Sequence, residues 1–174
     1  MQKRAAAVTF KGNPMALAGP EIKTGTKAPD FKVANGPAAT LTLAETPAKA
    51  RLFSVVPSLD TPVCSVQTRH FDQGIEALGD KVACYTVSLD SPFAQKRFCT
   101  DANIKTMQVV SDAHNHSFGE NWGVLMAEGL AVPILARAVF VVDKAGTVTH
   151  AEYVPEVTHE PNYDAALAAL KAAA

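Results

Sequence analysis

The sequence predicts an α/β protein, a central mixed sheet flanked by helices on both faces, with a small β-hairpin in front. Three observations carry that expectation. Between residues 52 and 110, short runs of β-formers alternate with segments of helical periodicity. Beyond residue 136 come two β runs joined by a tight turn, and then a last helix. Strand–helix–strand–helix–strand followed by a hairpin and a helix is satisfied by a sheet covered on both sides. The chain has 174 residues and 48% hydrophobic content, enough for a substantial core, and is expected to form one domain over residues 1–174.

Taken in order, Val8-Thr9-Phe10 and Met15-Ala16-Leu17 flank Gly12-Asn13-Pro14 and predict a hairpin at about residues 8–18. A short strand region is expected over 38–46, and a central strand over Leu52–Val56, ending at Pro57. Thr61-Pro62 reads as a helix start, because Thr is a good cap and Pro is favoured just inside a helix, where its missing N–H costs nothing. Phe71, Ile75 and Leu78 then give that helix, roughly 62–78, an apolar face. Val82–Ser88 is an apolar run suited to a buried strand. Ser91-Pro92 repeats the cap-plus-proline signal and opens a short helix carrying Cys99. A short strand from Met107 to Val110 and a helix holding Phe118 and Trp122 follow. Residues 136–142 and 147–154 pair around Asp143-Lys144-Ala145-Gly146. Pro161 is expected to start the last helix, with Tyr163, Leu167 and Leu170 on its apolar face.

Composition narrows the function. Net charge is −1 and no Lys/Arg cluster stands out, so neither nucleic acid nor an anionic membrane is expected as a partner. No apolar run approaches the roughly 20 residues of a membrane span. The opening Met1–Val8 is basic but leads into no apolar stretch, so it does not read as a secretory signal. The three cysteines lack metal-type spacing and suit a reducing compartment, which points to the cytoplasm. His114-Asn115-His116 has no matching ligand cluster and the glycines form no phosphate loop, so no metal, nucleotide or other cofactor is expected.

The chemistry centres on Phe53–Cys64, where a β run stops at Pro57 and a turn leads into a helix with Cys64 in its first turn. Unpaired N–H groups and the helix dipole favour an anion there, and can bring a thiol's pKa down from about 8.5 to roughly 3.5–7.5. A buried cysteine acting as a small hydrophobe is the other reading of the same turn, and the turn alone does not separate them. Arg137, between Ala136 and Ala138 beside an apolar strand, reads by itself as a surface residue at a strand end. Cys84, mid-strand among apolar neighbours, reads as an inert core thiol.

Pro57, Thr61 and Cys64 spell Pro-x-x-x-Thr-x-x-Cys, which resembles the active-site signature of the peroxiredoxins. Pro-Ser-Leu-Asp-Thr-Pro-Val-Cys (57–64) is similar to their bacterial thiol peroxidase branch. Ser91–Cys99 is similar to the segment with that branch's resolving cysteine, and Ala136–Asp143 to the strand bearing its active-site arginine. Val8–Pro14 and Thr158–Tyr163 also match, so the likeness spans nearly the whole chain. It implies a thioredoxin-like fold with the hairpin as an appendage. It further implies reduction of hydrogen peroxide and organic hydroperoxides by Cys64, with a sulfenic acid resolved by Cys99 within one chain. By the same analogy Thr61 orients thiolate and peroxide, Arg137 supplies charge and donors, and Pro57 shapes the turn and shields the sulfur. The backbone N–H groups of Val63 and Cys64 add donors. A thioredoxin-like reductant and a homodimer are implied too.

A disulfide needs Cα atoms about 4.4–6.8 Å apart, which cysteines on separate helices seldom meet, so both helix starts are expected to open during turnover. Rival readings fit less well. A copper-delivering or other redox-binding module of the thioredoxin type wants Cys-x-x-x-Cys, but Thr68 stands in the second place; a disulfide oxidoreductase wants Cys-x-x-Cys, but Gln67 does. A resolving cysteine on a partner's C-terminal tail is disfavoured, since Val157–Ala174 contains none.

Overall fold

The computed structural model describes residues 2–174. The chain opens with β1 (Lys3–Phe10) and β2 (Asn13–Ala18), an antiparallel hairpin, and then β3 (Lys32–Ala34) and β4 (Thr40–Thr42), a shorter one. The alternating middle consists of β5 (Ala50–Val55), α1 (Pro62–Ile75), β6 (Val82–Ser88), α2 (Pro92–Asp101) and β7 (Gln108–Ser111). Next come α3 (Ser117–Asn121), β8 (Leu125–Met126) and β9 (Ile134–Leu135). The hairpin β10 (Ala138–Val142) and β11 (Val148–Tyr153) and the helix α4 (Tyr163–Ala173) complete the fold.

Seven strands form the main sheet in the order β11-β10-β5-β6-β7-β3-β4, with β5, β6 and β7 parallel and the outer strands antiparallel. Every residue of β5 is buried, as a central strand covered on both faces requires. Its alternation sorts the core. Phe53 and Val55 face Phe31, Phe118, Trp122 and Phe140, with Phe118 stacked on Trp122 at 4.9 Å. Leu52 faces Phe71 and Ile75 of α1 and Ala166 and Leu170 of α4. A smaller sheet, β1-β2-β8-β9, joins the hairpin to the body of the protein.

The observed elements differ from the sequence expectation in several places, among them the unforeseen two-residue strands β8 and β9 and the helix α3, which stops before Trp122. The hairpin's first strand starts at Lys3 rather than near residue 8. The region 38–46 yields only β4 and a 3-10 turn, with β3 as an unforeseen partner. The first main helix ends at Ile75 and tightens into a 3-10 segment, Glu76–Lys81. The strand expected over 136–142 starts at Ala138, because Ala136 and Arg137 lie where the chain passes from the small sheet to the large one. The last helix starts at Tyr163 because the Asn162 side chain accepts from the Ala165 N–H (3.0 Å) and so caps it.

The hairpin is fastened at both ends. At its base, Gly19 and Gly123 have positive φ, and a Cβ on Gly19 would lie 1.8 Å from the Glu120 carbonyl oxygen, one on Gly123 1.9 Å from that of Pro20. Further along β1, the Thr9 N–H donates to the Pro155 carbonyl (2.7 Å) and the Val157 N–H to the Thr9 carbonyl (2.9 Å).

Asp72 of α1 ties that helix to the segment after α2. Its carboxylate accepts from the backbone N–H groups of Lys105 (3.1 Å), Thr106 (2.6 Å) and Met107 (2.8 Å) and from the Thr106 hydroxyl (2.7 Å). Burial opposes ionisation of this group, but the donors outweigh it and hold the carboxyl below its usual range. A carboxyl so lowered stabilises the fold above its unfolded pKa, and that stabilisation disappears as pH falls through the folded pKa. Asp72→Ala is therefore expected to cost about 1–3 kcal/mol at neutral pH. Urea titrations at falling pH should show the gap from the parent protein narrowing in acid.

Candidate active site

The turn after β5 brings Cys64 into the interior. Thr61 has extended backbone angles (φ −108°, ψ 148°), Pro62 is the first helical residue, and the Ser65 N–H closes the first turn on the Thr61 carbonyl (3.0 Å). Cys64 is thus in the first turn of a fourteen-residue helix, where backbone N–H groups have no helical acceptor. It is 0% exposed, packed with Val56 and Leu59, with Phe98 of α2 and Val109 of β7 beside them. Pro57 is buried at the head of the same turn.

Arg137 reaches this sulfur from the opposite end of the sequence. Its Nη2 donates to Cys64 Sγ at 3.4 Å, its Nη1 to Gln67 Oε1 at 2.8 Å and its Nε to the Val157 carbonyl at 2.9 Å. Arg137 is 2% exposed, so the surface placement that its alanine neighbours suggest is wrong. The strand interruption at 136–137 turns it inward, and the three acceptors replace the water it gives up. Gln67 is in turn fixed by donating Nε2 to Ser54 Oγ of β5 (2.8 Å).

A family model described as Redoxin matches residues 23–167. The thiol peroxidase of Halalkalibacterium halodurans is 48% identical over 97% of this chain and 99% of its own length. That of Bacillus subtilis is 46% identical over 96% and 98%. The chain belongs to the redoxin family, in its thiol peroxidase branch. Among solved structures, a peroxiredoxin-like protein from Aquifex aeolicus superposes with a TM-score of 0.89, 42% identical and covering 98% of this chain and 99% of that one. The thioredoxin-like, mixed-sheet fold is common to these redoxins.

In this redoxin all three cysteines are free thiols. Cys99 is partly exposed and stands in the last turn of α2, not at its start, because α2 ends at Asp101 and Asn103 takes a left-handed φ of 53°. Burial and, after it, the negative charge of Asp72 push the Cys99 thiol up. Cys84, buried in β6, is pushed up to about 12 by burial. Thr61 occupies the cap position, but its side chain caps nothing. Its hydroxyl donates to the Ser58 carbonyl (3.0 Å) instead.

Sequence reasoning missed three groups around the sulfur. Gln67 entered only as the residue that breaks a Cys-x-x-Cys pattern, and Tyr163 only as part of an apolar face. The Tyr163 ring stacks on His70 (3.9 Å) and meets Phe71 edge-on, and burial, then its hydrogen bond to Glu160, pushes its phenol up. Asp90 accepts from the Ser58 hydroxyl and the Leu59 N–H, both at 2.8 Å, and so pins the turn before Cys64 to the approach to α2. The capping signal at Ser91-Pro92 marks that corner in the sequence, but nothing there names the partner. Among the described residues, no cluster of His, Cys, Asp and Glu could hold a metal ion, and no helix is long and apolar enough to cross a membrane.

Gln67→Leu leaves buried Arg137 and Ser54 groups without their partner and is expected to destabilise the protein by about 1–3 kcal/mol. Chemical denaturation checks this. The effect should exceed that of Gln73→Leu, at an exposed position of the same helix.

Proposed function

We propose that the chain is a thiol-dependent peroxidase that reduces hydrogen peroxide and organic hydroperoxides to water and alcohols. The observation that carries the reading is the Arg137 guanidinium donating to Cys64 Sγ inside a site closed to water. In that setting a fixed positive charge favours the thiolate and attracts the negative charge that leaves when an O–O bond breaks. Names borne by relatives at 42–48% identity agree with it.

The Cys64 thiolate attacks one peroxide oxygen, an S–O bond forms as the O–O bond breaks, and the other oxygen leaves as hydroxide or alkoxide and takes a proton. Thr61, whose hydroxyl hydrogen is committed to Ser58, has lone pairs left to accept from the incoming hydroperoxide. Pro57 shapes the turn and keeps water from the sulfur, and the Val63 and Cys64 N–H groups add donors. A groove of about 300 Å³ over Thr61 and Pro62, walled by Arg97 and Phe98, is the approach to this corner.

The Cys64 sulfenic acid then condenses with the Cys99 thiol, forming S–S, breaking S–O and releasing water. Cys64 is fully enclosed and Cys99 sits on another helix, so the first turn of α1 and the last turn of α2 open for this step. A thioredoxin-like dithiol protein returns both sulfurs to thiols. We further propose that the protein works as a homodimer in the cytoplasm. A metal-delivery role is not favoured, since Thr68 stands where a second ligand is needed, its hydroxyl bonded to the Cys64 carbonyl at 3.0 Å.

Peroxide-dependent oxidation of a supplied thioredoxin should be abolished by Cys64→Ser and unchanged by Cys84→Ala. Cys99→Ser should permit one round of thiol oxidation but no turnover. Full activity in Cys64→Ser would end the proposal. Because the Cys99 thiol is raised, formation of the Cys64–Cys99 disulfide should speed up as pH rises above neutrality. Stopped-flow measurement of the resolving step reads that slope.

A further inference from the structure

We infer that the N-terminal hairpin is a brace for the active-site arginine, with Thr9 and Glu156 as positioning residues that fix the direction in which Arg137 points at Cys64. What that direction does for catalysis rests on the peroxidase reading; the brace itself does not.

A guanidinium is a rigid plane, so fixing two of its nitrogens determines where the third points. Gln67 holds Nη1, and the Val157 carbonyl holds Nε. The segment supplying that carbonyl has left the sheet after Tyr153, and it clasps Arg137 twice: the Val154 N–H also donates to the Arg137 carbonyl (3.0 Å). Its far side is held by the hairpin. Thr9 exchanges backbone hydrogen bonds with Pro155 and Val157, while the fully buried Val157 side chain packs among Val8, Met15 and Leu17 of the hairpin and Met126 and Ala136.

Glu156, between those two contacts, locks the arrangement. Its carboxylate accepts from the Thr9 hydroxyl (2.8 Å), the Lys11 and Gly12 N–H groups (both 3.0 Å), and the Thr158 N–H (3.1 Å) and hydroxyl (2.8 Å). Lys11 and Gly12 both have positive φ, and the tip they form turns their successive N–H groups onto this one anion. The Gly12 N–H, the Thr9 hydroxyl and Thr158 hold the carboxyl well below the usual range, so the lock persists at any working pH. Three of these five donors come from the hairpin and fasten its tip to the segment whose next carbonyl aims Arg137, while the two from Thr158 hold Glu156 within that segment.

The test uses the full chain with Cys84→Ala and Cys99→Ser, so that only the Cys64 thiol is seen, and compares Glu156→Ala and Thr9→Val with this parent. Ultraviolet absorbance of the thiolate gives the Cys64 titration, and stopped-flow mixing with hydrogen peroxide gives the rate constant. Both variants should shift the titration to higher pH and lower the rate constant roughly tenfold, as misdirection of a catalytic group does. In an Arg137→Ala background neither should lose anything more. Asp30→Ala, which cuts side-chain ties to the Phe31 and Leu43 N–H groups at the far end of the sheet, should leave both readouts unchanged. An unshifted titration in folded Thr9→Val, a further loss beyond Arg137→Ala, or an equal loss in Asp30→Ala would overturn the brace. Should Glu156→Ala fail to fold, Thr9→Val decides alone. A parent inert to peroxide would overturn the peroxidase reading, yet the titration would still report on the brace.

Discussion

The contact on which the rest depends is the one between a buried guanidinium and a buried sulfur, Arg137 Nη2 to Cys64 Sγ at 3.4 Å. Burying a charge costs several kcal/mol unless partners replace the lost water. Here the replacements come from three separate parts of the chain: Cys64 and Gln67 on α1, Val157 beyond β11, and Ser54 on β5 through Gln67. The main sheet supplies this convergence. β5 runs between β10 and β6, so the turn leaving β5 and the chain arriving at β10 meet at the same edge of the core, where register pairs Val55 with Ala138.

Much of this was legible in the sequence, for physical reasons that differ by element. The starts of α1 and α2 could be read from Thr61-Pro62 and Ser91-Pro92, because proline restricts where a helix can begin; at Ser91 the side chain also bonds the Ala94 N–H (3.3 Å). β5 and β6 could be read because strands buried on both faces show as continuous apolar runs. β8 and β9 could not, since two-residue strands leave no periodicity. The burial of Arg137 was equally hidden: its acceptors lie 20, 70 and 73 residues away, and nothing local distinguishes it from an arginine at a surface strand end. The motif at Pro57, Thr61 and Cys64 marked the candidate site, but not the path by which a hairpin at the other end of the chain reaches it.

Two acids illustrate how the fold divides work between charge and geometry. Asp72 gathers three backbone N–H groups after α2, and also raises the Cys99 thiol by its charge. Glu156 gathers its donors at the hairpin tip. Neither touches Cys64, and each satisfies backbone groups that irregular segments would otherwise leave unpaired. Loops so tied can carry functional side chains without the looseness usual in loops.

Asp90 belongs to the same class, with a different outcome. Its carboxylate grips Ser58 and Leu59, its own carbonyl takes the Ser111 hydroxyl (2.6 Å), and two residues further on α2 begins. The turn over Cys64 therefore cannot swing outward without either breaking those grips or dragging the root of the neighbouring helix along. The cover of one sulfur is thus tied to the root of the helix whose last turn carries the other, a linkage running through a single carboxylate.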